Sequence, residues 1–303
     1  MKKQILCGLV FTVFTTGCAS WFSRSDKATL PAPKPNEKLV DLPSDTAPEP
    51  DAAKVDSITQ AQTAPVTITS DTMPKAEDAT LGWAYEGMNG PENWGNLKPE
   101  YILCKSGKFQ SPINLKWSKP KTGGEVLLNY KPTPLKLRDS GHNLEVVTED
   151  GGSAMLHGQP YKLMQVEFHT PSEHQLSGNA LPLEAHFVHK NKKGEIAIVS
   201  AILIQGAGNP EIEKLWSAWP NIVNAEVSTT NEEFNPMVLL PRKTTHYFYV
   251  GSLTTPPCTE GVKWFVLNTP VEISKEQIAA FRSHYANNAR PLQNAKGRQV
   301  INY

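Results

Sequence analysis

The chain has 303 residues, 39% of them hydrophobic and 20% charged, and its 30 Lys and Arg balance its 30 Asp and Glu. That length and apolar fraction suffice for one large core or two small ones, while a net charge of zero argues against a nucleic-acid binder, which needs a basic excess. No apolar run reaches the roughly 18–20 residues of a membrane span, and the 25 prolines, above the usual ~5% of a globular chain, indicate that part of the sequence is not globular.

In chain order, a basic start (Met1–Lys3) precedes a mostly apolar run of twelve residues, Ile5–Thr16. Such a run is too short for a bilayer and has the size of a signal-peptide core. It ends at Gly17-Cys18-Ala19. A small residue followed by Cys at this place resembles a bacterial lipobox, although Thr15 stands where that motif usually has Leu. The resemblance implies cleavage before Cys18, lipidation of its thiol and a membrane anchor; the alternative is an ordinary export signal with an incidental Cys. Ala19 in place of Asp points to the outer membrane. Residues 1–22 therefore read as a signal and lipobox region, and the chain is expected in the bacterial periplasm.

Residues 23–80 contain no aromatic, Gly, Cys or His, but hold eight prolines, 10 acidic residues and 6 basic ones. This composition cannot bury enough apolar surface to offset the entropy of ordering, so the segment reads as a disordered tether with a mean span of about 40 Å.

From Leu81 the composition changes: six of the seven Trp and all eight Tyr lie in 81–303. Short β-type runs bounded by turn residues recur at Val126–Tyr130, Leu144–Thr148, Tyr161–His169, Glu184–His189, Ile196–Ile204, Thr245–Val250 and Lys263–Leu267. Two helices stand out. One is capped by Asn209 with Pro210 at its first position and runs toward Trp219; the other starts at Ser274, with Gln277 completing a capping box. The expected fold is a single, mainly β domain with a few short helices. Within it only Cys104 and Cys258 remain, an even pair that reads as a disulfide in an exported chain, with two buried free thiols as the alternative.

Strict alternation along Tyr161–His169 places Tyr161, Leu163, Gln165, Glu167 and His169 on one face and Lys162, Met164, Val166 and Phe168 on the other. In the next strand Glu184, His186 and Val188 share a face. Two His on neighbouring strands with a carboxylate nearby could bind a transition metal, although by spacing alone a core or surface His is the commoner explanation.

Longer strings carry more information. KFQSPINL (108–115), QVEFHTPSEH (165–174), EAHFVH (184–189), GSLTTPPC (251–258) and NARPLQ (288–293) occur with Trp83-Ala84-Tyr85 and Gly141-His142. In order and spacing, and together with the Cys104/Cys258 pair, they resemble the alpha-class carbonic anhydrases over 81–303. The resemblance implies a large, mostly antiparallel twisted sheet and reversible hydration of carbon dioxide to bicarbonate. In that family three neutral His hold one zinc ion and leave a fourth position for water. Thr254 matches the residue that orients this water, Glu173 the carboxylate that fixes the Thr, and Thr255 a neighbouring substrate contact. His142 matches the proton shuttle. Val188, Ile198, Leu253 and Trp264 match the apolar wall for carbon dioxide, and Gln165 and Glu184 the groups that orient ligand imidazoles.

One position departs from the pattern. His169 and His186 match two of the metal ligands, but Glu167 stands where the family has the first His. Two His plus Glu is an accepted catalytic zinc set, yet the added carboxylate lowers the formal site charge from +2 to +1 and makes a bound water less acidic. Glu145, where the family usually has Asn or Gln, adds a second carboxylate. Three readings follow: a zinc enzyme of reduced efficiency, a carbonic-anhydrase-like domain that has lost metal and become an envelope binding module, and a structural lipoprotein docking to the cell wall. Intact Thr254, Glu173, His142 and apolar wall favour the first; Glu167 favours the second. Rival enzyme motifs are missing: there is no P-loop, GxSxG or HExxH string.

Overall fold

Runs rich in Val, Ile and aromatic residues favour a pleated, half-buried surface. The computed structural model, which describes residues 82–303 apart from 149 and 296, assembles them into fourteen strands and four short α-helices. The signal and lipobox reading at Cys18 and the tether over 23–80 lie outside the described residues. The helices are α1 (Trp94–Leu97), α2 (Leu103–Ser106), α3 (Pro210–Ser217) and α4 (Lys275–His284). The first six strands are β1 (Asn114–Leu115), β2 (Val126–Tyr130), β3 (Thr133–Asp139), β4 (Leu144–Val147), β5 (Gly152–Leu156) and β6 (Gln159–His169). There follow β7 (Gln175–Leu176), β8 (Leu183–Lys190), β9 (Ile196–Gln205), β10 (Glu226–Phe234), β11 (His246–Ser252), β12 (Glu260–Leu267), β13 (Val271–Ile273) and β14 (Ile301–Asn302).

Twelve strands form one sheet in the order β10-β3-β4-β6-β8-β9-β12-β11-β14, with β13 beside β9 and β5 linking β2 to β6. Nine of its eleven pairings are antiparallel; only β12 and β13 run parallel to β9. The expected mostly antiparallel sheet is therefore present. One face packs a core of Leu163, Val166, Phe168, Leu183, Ala185, Phe187 and Val199 against Ile212 and Leu215 of α3 and Ile278 and Phe281 of α4. On the other, Ile198, Tyr247, Tyr249, Val262 and Trp264 form a smaller cluster that Val188 and Leu253 pack against.

Strict alternation along β6 fails, and the failure positions the site. Tyr161 and Leu163 belong to the same core as Val166 and Phe168. A register shift between Leu163 and Gln165 inserts one residue, which changes the phase of the alternation. Before the bulge the odd residues face the large core; after it the even ones do, leaving Gln165, Glu167 and His169 on the opposite face.

Both expected helix starts are made by their caps: the Asn209 side chain accepts from the backbone N–H groups of Glu211 and Ile212, and Ser274 and Gln277 form the reciprocal box. The disulfide joins Cys104 in α2 to Cys258, 154 residues away. A loop of that length contributes up to about 5 kcal/mol by restricting the unfolded chain. Replacing both cysteines with Ser is expected to lower the unfolding free energy by about 2–5 kcal/mol in urea titrations under non-reducing conditions.

Candidate metal centre

Register across the sheet builds the centre. Glu167 of β6 lies directly between Glu145 of β4 and His186 of β8, and His169 lies opposite Glu184. A second row runs Gln165–Val188–Ile198–Trp264 across β6, β8, β9 and β12, which places the predicted apolar wall beside the ligands. The ligating atoms of Glu167, His169 and His186 fall within 4.8 Å of one another.

Each imidazole has one nitrogen committed elsewhere, which fixes the other. The His169 Nδ1–H donates to the Asn288 carbonyl (2.8 Å), leaving Nε2 toward Glu167 Oε2 at 3.9 Å. His186 Nε2–H donates to Glu184 Oε1 (2.9 Å), leaving Nδ1 for the centre. Glu184 also accepts from the His174 backbone N–H (2.8 Å), from His174 Nδ1–H (2.7 Å) and from the Ser200 hydroxyl. Burial alone would raise its pKa, but His174 and His186 hold it well below the usual carboxylate range. The grouping His174, Glu184 and His186 is thus a hydrogen-bond network, closed by the Tyr249 hydroxyl donating to His174 Nε2 (2.6 Å).

Glu167 is about a fifth exposed, with a side-chain accessibility of 21%. Its Oε1 accepts from the Gln165 amide. Burial works to raise its pKa and is outweighed by His169 and His186, so it stays ionised. Burial works to lower the pKa of His169, but Glu173 and Glu167 outweigh it and push the value up to about 9. Asn143, whose Oδ1 is fixed by the Phe168 N–H (3.0 Å), presents its amide nitrogen to the same Nε2 at 3.3 Å. Two carboxylates therefore draw positive charge to this point.

Glu173 is buried. Its Oε1 accepts from the Arg290 backbone N–H (2.8 Å), while Oε2 is buried without a hydrogen-bond partner and lies 3.9 Å from His186 Nδ1. Thr254 is buried, and Thr255 accepts the Cys258 N–H through its carbonyl (2.9 Å). His142 stacks on Trp83, ring centroids 3.6 Å apart, and its Nε2–H donates to the Trp83 carbonyl (2.8 Å). Burial lowers its pKa. A cavity of about 540 Å³ lined by Trp83, Tyr85, His142 and Tyr285 opens beside it. Glu145 is engaged by Arg138 (Nε 2.8 Å), and burial followed by the neighbouring Glu167 raises its pKa.

The sequence motifs assign no role to Asn143 or Asn288. The first carries no chemical signature; the second sits in the quoted NARPLQ string, which alone could have flagged it. The donor set fits a zinc ion: two imidazole nitrogens with their far sides fixed and one carboxylate oxygen, beside a buried Glu173 oxygen that has no hydrogen-bond partner.

A family model described as eukaryotic-type carbonic anhydrase matches residues 89–303. A carbonic anhydrase of Pectobacterium carotovorum is 38% identical over 227 residues, covering 73% of this chain and 91% of that protein. One from Neisseria gonorrhoeae is 38% identical over 221 residues, covering 72% and 87%. The solved structure of the alpha-carbonic anhydrase from Thermovibrio ammonificans with the inhibitor sulfanilamide superposes with a TM-score of 0.70 at 40% identity, covering 72% of this chain and 98% of that one. The chain belongs to the alpha-class, or eukaryotic-type, carbonic anhydrase family.

Proposed function

We propose that the chain catalyses the reversible hydration of carbon dioxide to bicarbonate, with one zinc ion held by Glu167, His169 and His186, at lower efficiency than a three-His site. The observation that supports this most is the convergence of three ligating atoms whose opposite sides are already hydrogen-bonded. When bound, the zinc supplies a Lewis acid that acidifies a water molecule at its open position.

The chain's own residues do the rest. Glu184 and Asn288 hold the two imidazoles in the tautomers that ligation requires. Glu173 Oε2 is the free acceptor to which the Thr254 hydroxyl would donate, turning the Thr oxygen into an acceptor that orients the attacking group. Val188, Ile198, Leu253 and Trp264 exclude water and seat an apolar substrate, with Thr255 at its polar edge. His142 moves the released proton toward solvent, a role suited to an imidazole. Replacing it with Ala is expected to lower kcat by at least tenfold while leaving kcat/KM for carbon dioxide unchanged, with imidazole buffer restoring the loss. A loss in kcat/KM instead would remove the shuttle assignment.

Export and anchoring through Cys18 complete the proposal. The lipobox-like sequence and a disulfide suited to an oxidising compartment support a periplasmic lipoprotein. The test is zinc content of the reconstituted protein together with stopped-flow hydration rates. No zinc and no rate above buffer would refute it. A metal-free binding module is the second reading, and the mutual compensation of Glu167 and His169 favours it.

A further inference from the structure

The resemblance gives Gln165 the task of orienting a ligand imidazole, whose ring N–H donates a hydrogen bond. Here that residue faces a carboxylate, which accepts hydrogen bonds and donates none. Gln165 is the residue type that can meet either partner, because its amide carries a donor and an acceptor. Gln165 and Glu167 lie two residues apart on the same face of β6, beyond the bulge. Gln165's cross-strand neighbours are Val147 on β4 and Val188 on β8, neither of which offers a side-chain hydrogen bond. Its nitrogen donates to Glu167 Oε1, and Oε2 is the oxygen that faces His169.

We propose that Gln165 is the positioning residue for the carboxylate ligand, working with its amide turned so that nitrogen faces Glu167, and that this turn lets the site carry Glu in place of His. Holding Oε1 sets the plane of the carboxylate and leaves Oε2, the oxygen facing His169, for a divalent cation. It also disfavours rotamers in which Glu167, partly exposed, swings toward solvent. The part of the proposal that concerns the cation rests on the metal reading above; the hydrogen-bond polarity does not.

The polarity gives a reversal of sign between two backgrounds. Gln165→Glu in the native chain sets two acceptor-only carboxylates against each other. In the Glu167→His background the same substitution creates a carboxylate–imidazole pair of the kind that supports metal-bound His. The test compares the native chain, Gln165→Glu, Glu167→His and the double variant. Two quantities are read: zinc affinity by competition with a chromophoric chelator, and thermal midpoints of the metal-free proteins at pH 7. Gln165→Glu is expected to weaken zinc binding by about 10–100-fold in the native background and to lower the midpoint. In the Glu167→His background it should leave both unchanged or improve them. Gln165→Leu, which removes the amide without adding charge, should weaken zinc in both backgrounds and serves as the control for packing. Equal effects of Gln165→Glu in the two backgrounds, or none in either, would overturn the proposal. If the native chain takes up no zinc, the midpoints still decide the role of Gln165, and only the metal reading falls.

Discussion

Replacing Glu167 with His will raise carbon dioxide hydration at pH 7 by at least tenfold and tighten zinc binding. The carboxylate it removes contributes a full negative charge to the site, so the variant restores a formal +2 centre and a more acidic bound water. Space is available, since the Glu167 side chain is partly exposed and its cross-strand neighbours are Glu145 and His186 rather than core apolar groups. Gln165 can accept from the new imidazole by turning its amide. Glu145 remains, held by Arg138, so the gain should be enlarged by also changing Glu145 to Gln. Stopped-flow assays on the three proteins measure this directly. An unchanged rate with full zinc occupancy would show that the charge of the first ligand is not what limits turnover.

Zinc uptake by the native chain will depend steeply on pH. His169 carries a pKa pushed up to about 9 by Glu173 and Glu167, and it must lose its proton before its Nε2 can ligate. Apparent affinity should therefore rise roughly tenfold per pH unit between about 7 and 9 and then level off. The metal-free protein behaves in the opposite sense. A folded-state pKa raised above the ordinary 6.5 of His contributes stability that is full below that value and lost as pH rises through about 9. Chelator competition and thermal unfolding across this range read the two trends. In Glu167→His the affinity curve should level off at lower pH, because one of the two carboxylates that retain the proton is gone.

Much of this architecture is legible in the sequence because its signals are local. Short apolar, β-type runs at Val126–Tyr130 and Ile196–Ile204 report strands, and the Asn209 and Ser274 caps report helix starts to the residue. Among the described residues seven of the fourteen strands escape such reading; β1, β7, β13 and β14 are only two or three residues long, and the other three carry misleading signals. β10 is polar along its length and pairs only with β3, at the edge of the sheet; β3 carries Pro134 where the pairing register shifts between Ser228 and Glu233; β5 begins at a glycine. Proline at such an irregularity costs no ladder bond, yet in sequence it argues against a strand. At the site, the ligand residues are visible in the motifs, whereas the bulge at Leu163–Gln165 that turns them to the cleft leaves no mark in residue type. Asn143 and Asn288 act through tertiary contacts with residues 26 and 119 positions away, a separation that local patterns do not encode.

The irregular stretch around Asn288 and Arg290 has a consequence for how the molecule is made. The Asn288 carbonyl fixes the His169 ring, its side chain braces the backbone at Thr170 and Phe168, and the Arg290 N–H holds Glu173. During synthesis these partners emerge more than a hundred residues after the groups they orient. The ligands are therefore translated early but acquire their alignment late, when the last part of the chain, which also supplies β14, closes onto the strands that carry them. A cut or shortening just before Asn288 would spare every strand that carries a ligand, yet leave the His169 Nδ1–H without its acceptor and its tautomer unfixed. Damage to this small closing segment would thus cost the centre its alignment while leaving its ligands in place on their strands.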